Sequence, residues 1–471
     1  MFTVYHPESA ELTARLWDQH VELLAGRWDP RRLAEHQAEL FRTTVSYVRE
    51  RSTFYRSRLA GVRLADDGPL TEAELASIPF TSKADLREAQ FDLLSRPVPA
   101  AWIFYETTGT TGAATPCPRD NVDSVHNNTV LTEYYRTVFG RFGDAQVIGV
   151  AGPSELHATG DTFGDVCRNL GLAVAKMWPH SPMIGFPRAL EVMRLLPVTG
   201  LFCTPGMALA LAKKARESGL DTRADFHLDV LMLTGELASP GLLANIGELW
   251  GATAHNALYA SQEASVLAAV TGDGSLSTAP LINYYEVVDP VTLAPTPADA
   301  SGVRQGELVV TNLYQGAKPL VRYRTGDLVR MYPAAAGAAA PVPTLEVLGR
   351  VRDELVLNDH PVTGYDLENL LLRHVRGYLD YQVVLDRGTT GADRVTLVLQ
   401  GDVDPTDPAL AATVEDCARE LGVELLVSFG DPGAITGTGA MVSWKAARVV
   451  DRRSPDDHET RVAHALAARR A

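Results

Sequence analysis

The chain has 471 residues, 46% of them hydrophobic and 21% charged, which is typical of a water-soluble globular protein with two or more domains. Its 43 basic and 58 acidic side chains give a net charge of −15, and no basic stripe indicates nucleic acid as a partner. The four cysteines contain no Cys-x-x-Cys pair and predict neither a disulfide framework nor a zinc site. Because neither a signal peptide nor a membrane-length apolar run stands out, we expect a cytoplasmic protein without membrane or nucleic-acid partners.

The first hundred residues are predicted to be helical. Phe41, Val45 and Val48 recur at helical spacing, and Thr71-x-x-Glu74 matches a capping box. From about Gln146 the pattern alternates between strand and helix, which favours α/β layers with chemistry at the strand ends. The predicted strands are 147–150, 230–233 and 307–310, and the predicted helices are 208–217 and 241–250.

The last part of the chain has a different composition and a different pattern of predicted elements. The Ala/Pro/Gly-rich segment 333–343 predicts a surface loop, and beyond Gly349 the pattern indicates a compact α+β unit. We therefore place a domain boundary near Asp353, with an N-terminal layered α/β domain over 1–350 and a small C-terminal α+β domain over 353–471. In that second domain the predicted strands are 381–385, 395–400 and 425–429, and the predicted helices are 365–373 and 408–421.

The segment 107–115 reads Thr-Thr-Gly-Thr-Thr-Gly-Ala-Ala-Thr and follows an apolar run, 101–105, that predicts a short buried strand. Its glycines allow the backbone to curl tightly, so that amides and hydroxyls can surround a phosphate group. A flexible Gly/Thr linker is the alternative, and the preceding strand argues against it.

Further short motifs occur in a fixed order along the chain. They are Thr53–Arg56 (TFYR), Ile78–Arg87 (IPFTSKADLR), Cys203–Gly206 (CTPG), Thr234–Glu236 (TGE), Tyr259–Glu263 (YASQE), Arg322–Leu328 (RYRTGDL), Gly349–Asp353 (GRVRD) and Ser443–Asp451 (SWKAARVVD). Together with the loop at 107–115 they resemble the adenylate-forming superfamily, in its phenylacetate–CoA ligase-like branch. The matches cover nearly the whole chain.

That resemblance implies a large α/β domain, a small mobile C-terminal domain that turns about a hinge at Asp353, and an ATP-dependent, AMP-forming ligase that uses Mg²⁺. It implies Lys445 and Glu263 as catalytic residues, with Glu263 holding Mg²⁺. His157 is a candidate for the acyl or acceptor site, with a structural histidine as the alternative. The implied ATP-binding residues are Thr107, Thr108, Gly109, Thr110, Thr111, Gly112, Gly235, Glu236, Tyr259, Ala260, Asp327 and Arg350.

The chain departs from the family's pattern at several of these motifs. The phosphate loop carries Ala113 and Ala114 where the family has Lys and Pro, which removes one positive charge from the phosphate site. The adenine motif has Ala260 and Gln262 in place of Gly and Thr or Ser, and Arg352 replaces the first Asp of the hinge motif.

The acceptor of the activated acyl group is predicted from a further departure. Asn358 and Asp359 stand where CoA ligases have Arg and Gly, and an acidic side chain there disfavours an anionic carrier. We therefore expect an amide bond synthetase of a natural-product pathway, which joins a small, aromatic carboxylic acid to an amine. An aryl-CoA ligase is the alternative, in which CoA is a further substrate. A nitrite-adenylating diazotase and a nucleotide-binding pseudoenzyme are also left open, and the sequence carries no prediction of oligomeric state.

Overall fold

The structure is a computed structural model that describes residues 6–107, 114–389, 391–432 and 444–453, without the side chain of Trp444. The chain forms two compact units. The first comprises Met1–Asp144, Ser154–Gly171 and Leu258–Glu346, and the second Ala145–Pro153, Leu172–Ala257 and Val347–Ala471. Five of the predicted ATP-binding residues lie outside the described residues: Thr108, Gly109, Thr110, Thr111 and Gly112.

The helices and strands are numbered in chain order. The helices are α1 (Pro7–Leu24), α2 (Pro30–Arg51), α3 (Thr53–Arg58), α4 (Glu72–Ser77), α5 (Lys83–Ala89), α6 (Asn121–Phe139), α7 (Thr159–Asn169), α8 (Gly185–Leu195), α9 (Pro205–Glu217), α10 (Pro240–Trp250), α11 (Gly364–Leu372), α12 (Pro408–Leu421) and α13 (Trp444–Arg448). The strands are β1 (Ile103–Glu106), β2 (Pro116–Arg119), β3 (Val147–Val150), β4 (Ala173–Lys176), β5 (Gly200–Cys203), β6 (Val230–Thr234), β7 (Thr253–Ser261), β8 (Ser265–Val270), β9 (Leu276–Thr278), β10 (Asn283–Val288), β11 (Arg304–Asn312), β12 (Tyr323–Tyr332), β13 (Thr344–Arg350), β14 (Leu355–Leu357), β15 (His360–Val362), β16 (Tyr378–Arg387), β17 (Asp393–Gly401), β18 (Glu424–Phe429) and β19 (Val449–Asp451).

The first unit combines the predicted helices with antiparallel strands. Phe41, Val45 and Val48 are buried on α2, and the capping box at Thr71 and Glu74 is present at the start of α4, so both predictions are confirmed. Strands β10, β11 and β12 pair in antiparallel order, as do β7, β8 and β9. This antiparallel part carries the motifs YASQE and RYRTGDL.

The β1–β2 hairpin differs in part from the predicted buried strand. The strand begins at Ile103 rather than Ala101, and Trp102 is 43% exposed because it precedes the paired residues. Tyr105 is the one residue of β1 that is fully buried. The predicted surface loop at 333–343 is likewise partly inside, since Ala340 and Val342 are fully buried.

The second unit contains a parallel sheet and a smaller mixed one. Strands β6, β5, β3 and β4 pair in parallel in that order, and helices α9 and α10 pack in the same hydrophobic core. After β13, the chain forms the β14–β15 hairpin and a sheet in the order β18-β17-β16-β19, accompanied by α11 and α12. The predicted strands and helices of this C-terminal α+β segment are present, whereas the functional boundary near Asp353 stays a prediction.

None of the described helices is both long enough and apolar enough to cross a membrane.

Candidate functional site

Three of the sequence motifs meet at one buried group of hydrogen bonds in the first unit. The Tyr55 hydroxyl on α3 lies 3.2 Å from Thr81 Oγ1 and accepts a bond of 3.0 Å from the amide of Val321. Thr81 Oγ1 in turn donates to the Val321 carbonyl at 2.8 Å. The motifs TFYR, IPFTSKADLR and RYRTGDL are thus parts of one structure, although they are far apart in the sequence.

Arg322 is buried beside this group and has a structural role. Its guanidinium makes a two-bond ion pair with Glu286, at 3.0 and 2.7 Å, and donates to the carbonyls of Leu75 and Ile78 at 2.7 Å. It also lies 3.9 Å from the centre of the Phe80 ring. Since these partners take up the guanidinium, Arg322 holds β12 against the segment before α5.

Asp327 lies on a bulge of β12. Glu307 of β11 pairs with Leu328 of β12, and Val309 pairs with Arg324. Between these two pairs, the three residues Thr325–Asp327 of β12 lie opposite the single residue Leu308 of β11. Glu307 holds the bulge by accepting bonds from Arg324 at 2.6 Å and from the Gly326 amide at 3.1 Å. Such bulges re-aim side chains, and this one removes Asp327 from the regular ladder.

The bulge brings Asp327 to Tyr259. The Tyr259 hydroxyl donates to Asp327 Oδ2 at 2.8 Å. Tyr259 is 9% exposed, and Ala260, at a register shift of β7, is exposed. Burial, followed by the charge of Asp327, raises the pKa of the Tyr259 hydroxyl, which therefore remains a donor at neutral pH. A ring and an ionised acceptor thus lie side by side, which suits recognition of a nucleoside.

Glu263 lies in the turn between β7 and β8 and is almost fully buried. Its Oε1 accepts a 2.9 Å bond from the Tyr323 hydroxyl and lies 3.3 Å from Lys83 Nζ, and the backbone amide of Glu263 also bonds to the carboxylate. Burial by itself raises the pKa of this carboxyl, but Lys83 and other donors outweigh it, and the pKa is below its usual value. Glu263 is therefore ionised at neutral pH.

Two lysines near Glu263 have no role in the sequence-based prediction. Lys83 is the first residue of α5, and Lys318 is buried with its Nζ 3.0 Å from the Pro116 carbonyl and 3.3 Å from Cys117 Sγ. The charge of Lys318 also lowers the pKa of Glu263. Lys83 belongs to a motif used for the resemblance, but nothing in the local sequence pairs it with Glu263.

The base of the predicted phosphate loop is well defined. The Thr107 amide donates to the Thr115 carbonyl at 3.1 Å, and the Thr115 amide donates to Thr107 Oγ1 at 2.9 Å. Below this point Glu106 pairs with Pro116 in the β1–β2 hairpin. The loop is therefore presented from the closed end of a hairpin.

His157 lies in the loop before α7, near that hairpin. Its Nδ1 accepts bonds from the hydroxyl and the amide of Thr159, at 2.9 and 3.3 Å. Burial and the charge of Arg119 lower the pKa of His157 to about 4. His157 is therefore neutral at pH 7, with Nδ1 occupied inside the protein.

The remaining predicted site residues belong to the second unit. Gly235 has a positive φ of 84°, and the neighbouring Glu236 accepts a 2.9 Å bond from the Gly206 amide at the start of α9. Arg350 ends β13 and is partly exposed, while Asp353 is buried with Arg352 at 3.9 Å. Their roles in ATP binding and as a hinge stay predictions.

Lys445 lies on the short helix α13, which is anchored at its C-terminal end. Arg448 is buried, pairs with Asp380, and donates to the Tyr381 carbonyl at 3.0 Å. Strand β19 then pairs in parallel with β16, with Val449 opposite Val383. Lys445 itself is only partly buried, so solvent can reach its ammonium group.

No group of three or more metal-ligating side chains occurs among the described residues. A metal ion at Glu263 would therefore find at most two such side chains among the described residues, and would take its other ligands from a bound substrate and water. This fits Mg²⁺, which is commonly held by one or two carboxylates and substrate phosphates.

Known proteins resemble the chain over most of its length. A phenylacetate–coenzyme A ligase of Pseudomonas putida is 26% identical over 89% of this chain and 94% of the relative. A phenylacetate–coenzyme A ligase of Thermus thermophilus is 27% identical over 84% and 92%. No family model matches the chain.

Solved structures also match. A 2-hydroxyisobutyryl-CoA ligase with 2-HIB-AMP in the postadenylation state has a TM-score of 0.71 at 21% identity, covering 92% of this chain and 91% of the other. The same enzyme with 2-HIB-AMP and CoA in the thioesterification state gives a TM-score of 0.62 with the same coverage. These matches confirm the predicted two-domain α/β class of fold.

Proposed function

Because the chain belongs to the adenylate-forming superfamily, in its phenylacetate–CoA ligase-like branch, we propose that it joins an aromatic carboxylic acid to CoA in two steps. The acid first attacks the α-phosphate of ATP to give an acyl-adenylate and pyrophosphate. The CoA thiol then displaces AMP from the acyl carbon, and a thioester forms. The observation that carries the proposal is the meeting of Tyr259, Asp327, Glu263 and Lys83 within one unit.

Asp327 and Tyr259 would recognise the nucleoside part of ATP. An ionised carboxylate can accept bonds from both ribose hydroxyls, and each such charge-assisted bond is stronger than a neutral one. The Tyr259 hydroxyl holds one oxygen of Asp327 in place, so the carboxylate is oriented before the nucleotide arrives. The aromatic ring offers a flat apolar surface on which adenine can stack.

Glu263 would hold Mg²⁺ against the phosphates. Glu263 Oε1 is held by Tyr323 and Lys83, and the ionised carboxylate supplies the negative charge that a metal ion needs. When bound, the ion neutralises phosphate charge and polarises the α-phosphate. Lys83 and Lys318 add positive charge around this point, which partly offsets the replacement of the loop lysine by Ala113.

Lys445 would stabilise the charge that develops at the α-phosphate during adenylation. The buried ion pair of Arg448 with Asp380 anchors the C-terminal end of α13, the helix that carries Lys445. Preorganised charge of this kind is usually the largest single contribution to such catalysis. A rotation about Asp353 would then withdraw Lys445 and admit the acceptor, as the resemblance implies.

The choice of CoA corrects the sequence-based preference for an amine. The two curated relatives above are both named as CoA ligases, which supports the alternative better than the amide bond synthetase. The structure also gives a separate explanation for Asn358 and Asp359, the residues on which the argument against CoA rests. Asn358 and Asp359 have φ angles of 47° and 65° and form the two-residue turn of the β14–β15 hairpin, a conformation in which Asn and Asp are preferred.

Asn358 is held in that turn by the protein itself. Its amide donates to Asp393 Oδ2 at 2.9 Å, its Oδ1 accepts from the Asp393 amide at 2.8 Å, and its Nδ2 donates to the Gly422 carbonyl at 2.8 Å. Asp359 is exposed to solvent. The pair Asn358–Asp359 is thus explained by backbone geometry, without reference to an acceptor.

The test is incubation of the protein with MgATP, aromatic acids and either CoA or an amine. We expect pyrophosphate release that depends on the acid, and an acyl-CoA detected by mass spectrometry. Asp327→Ala should abolish most of the release at limiting ATP, while Asp299→Ala, which removes an exposed turn carboxylate, should leave it unchanged. A pseudoenzyme would release no pyrophosphate with any acid, and an amide synthetase would consume the adenylate faster with the amine.

A further inference from the structure

The β1–β2 hairpin carries a polar and aromatic face that the steps above do not use. Ile103 pairs with Arg119, and Tyr105 pairs with Cys117. Directly paired and alternate residues of a hairpin share one face, so these four side chains lie on the same side. Tyr105, Cys117 and Ala158 form a small buried cluster there, and the loop before α7 closes over it through a 3.1 Å bond from the Glu106 amide to the Leu156 carbonyl.

Arg119 is the only formal charge among these four side chains, and it is buried. Its residue is 7% exposed, and its guanidinium lies 5.3 Å from the centre of the Tyr105 ring. Within the part of the chain that the structure describes, no carboxylate forms an ion pair with it. Asp161, the acid at this point, accepts a 3.3 Å bond from the Tyr105 hydroxyl instead. The phosphate loop between β1 and β2 contains no acidic residue.

The titratable side chains whose pKa values Arg119 shifts are themselves neutral at pH 7. Burial and Arg119 hold the pKa of His157 at about 4, so it adds no second charge at pH 7. Burial raises the pKa of the Cys117 thiol and of the Tyr105 and Tyr314 hydroxyls, against the opposing effect of Arg119. Among the described residues, this positive charge therefore lies beside an aromatic ring with no carboxylate in an ion pair with it.

A buried charge without a partner strongly destabilises a protein, so such groups are normally paired or contact a ligand. The stacking of Arg119 on Tyr105 compensates only part of this penalty. A guanidinium is a planar, always charged donor that binds carboxylates through two parallel bonds. Since no described carboxylate pairs with Arg119, its partner is best supplied by an anionic group of the substrate.

The distance from Arg119 to Lys318 and Glu263 indicates which anionic group of the substrate Arg119 would bind. Cys117 is two residues before Arg119 on β2, and its Sγ lies 3.3 Å from Lys318 Nζ. The charge of Lys318 in turn lowers the pKa of Glu263. Alternate residues of a strand are roughly 6.6 Å apart, which is about the span of a benzene ring with substituents at opposite positions. An acid whose reacting carboxylate lies toward Lys318 can therefore reach Arg119 with a second group on the far side of its ring.

We propose that Arg119 determines specificity by binding a second carboxylate of the acid, so that the preferred substrates are aromatic dicarboxylic acids. This rests on the proposed function, because the first carboxylate is the one that is adenylated. Arg119 would hold the remote group and so orient the ring, while the adenylation step itself stays unchanged.

The test compares 4-carboxyphenylacetate with its uncharged analogue 4-carbamoylphenylacetate by pyrophosphate release. We expect the wild-type protein to have a KM at least tenfold lower for the diacid. Arg119→Gln should raise that KM by about 10- to 100-fold, the range for losing a charge-assisted bond, and leave the analogue nearly unaffected. Arg119→Lys should restore part of the preference. Arg51→Gln is the matched control, since Arg51 is an exposed arginine 5.7 Å from the Tyr47 ring, and it should change nothing.

Calorimetric titration of the diacid into the same variants separates this inference from the proposed function. If neither acid releases pyrophosphate, the proposed function is wrong. The Arg119 site is still supported in that case if the diacid binds to the wild-type protein and to Arg119→Lys but not to Arg119→Gln. Equal KM values for the two acids in the wild-type protein, or no diacid binding, would overturn it. A variant whose defect is in the KM of ATP or CoA would overturn it as well.

Discussion

Replacing Lys83 by Gln removes the cation that lies 3.3 Å from Glu263 Oε1 and keeps a side chain of similar length. Two unit charges at this distance attract each other by about 5 kcal/mol at an effective dielectric constant of about 20. The Lys83 side chain is 42% exposed, so solvent screening reduces the interaction to about 1–2 kcal/mol. This is a factor of about 5 to 30 in an equilibrium constant.

The substitution should act on the ionisation of Glu263. Burial raises the pKa of this carboxyl and Lys83 is the largest influence that lowers it, so the pKa should rise in Lys83→Gln. In the wild-type protein the depressed pKa means that Glu263 stabilises the fold above the usual pKa of a carboxyl and loses this effect as the pH falls through its folded value. In the variant, both this loss and the acidic limb of the activity profile should move to higher pH.

The assay is acid-dependent pyrophosphate release measured between pH 5 and pH 8. We expect kcat/KM for ATP to fall by about 10- to 100-fold at pH 7, because the variant also loses a positive charge near the phosphates. Lys214→Gln is the control, because it removes an exposed ion pair with Glu217 that has no link to the site. An unchanged acidic limb together with an unchanged kcat/KM would show that Lys83 is only a surface lysine.

Asp327→Ala should weaken ATP binding by about 1.5–3 kcal/mol, since the ribose hydroxyls lose an ionised acceptor, and equal affinity by calorimetry would assign Asp327 to the bulge alone. Lys445→Ala should slow acyl-adenylate formation by about 10²–10³-fold while sparing thioester formation from supplied acyl-adenylate, and equal loss in both steps would contradict its role. His20 and His126 are buried with pKa values lowered from 6.5 to about 4 by burial, so protonation favours the unfolded state. Stability should be complete above pH 6.5 and fall by up to about 3 kcal/mol for each histidine as the pH approaches 4, and a His126→Gln variant should show a flatter dependence of Tm on pH. Asn358→Ala should lower Tm more than Asn358→Gly, because glycine tolerates the left-handed φ of this position and alanine does not. The reverse order would argue against the turn as the reason for Asn358.

Local features of the fold were predictable because their signals are local. The helix periodicity around Phe41 and the capping box of Thr71 and Glu74 depend on neighbours within a few residues, and both appear as expected. The resemblance assigned Tyr259 and Asp327 to ATP binding without pairing them, and the structure joins them by a hydrogen bond. Physical patterns in the sequence would not have joined them.

Other parts of the site depend on pairings that no short segment encodes. The segment Thr325–Asp327 forms a bulge whose geometry is set by the register of β11 opposite, and the segment itself does not encode that register. Lys83 received no role, since only the complete fold places it against Glu263. Asn358 and Asp359 were interpreted through charge alone, although Asn-Asp between two short apolar runs is also a signal for a two-residue hairpin turn.

The bond from Thr81 Oγ1 to the Val321 carbonyl joins residues 240 positions apart, and this has a consequence for synthesis of the protein. At a rate of about 5–20 residues per second, roughly 10–50 s pass between the emergence of the two partners from the ribosome. During that interval Tyr55 and its helix lack the strand that later covers them. We therefore expect the nascent N-terminal segment to need protection by chaperones, and nucleotide binding to appear only after β12 has been translated.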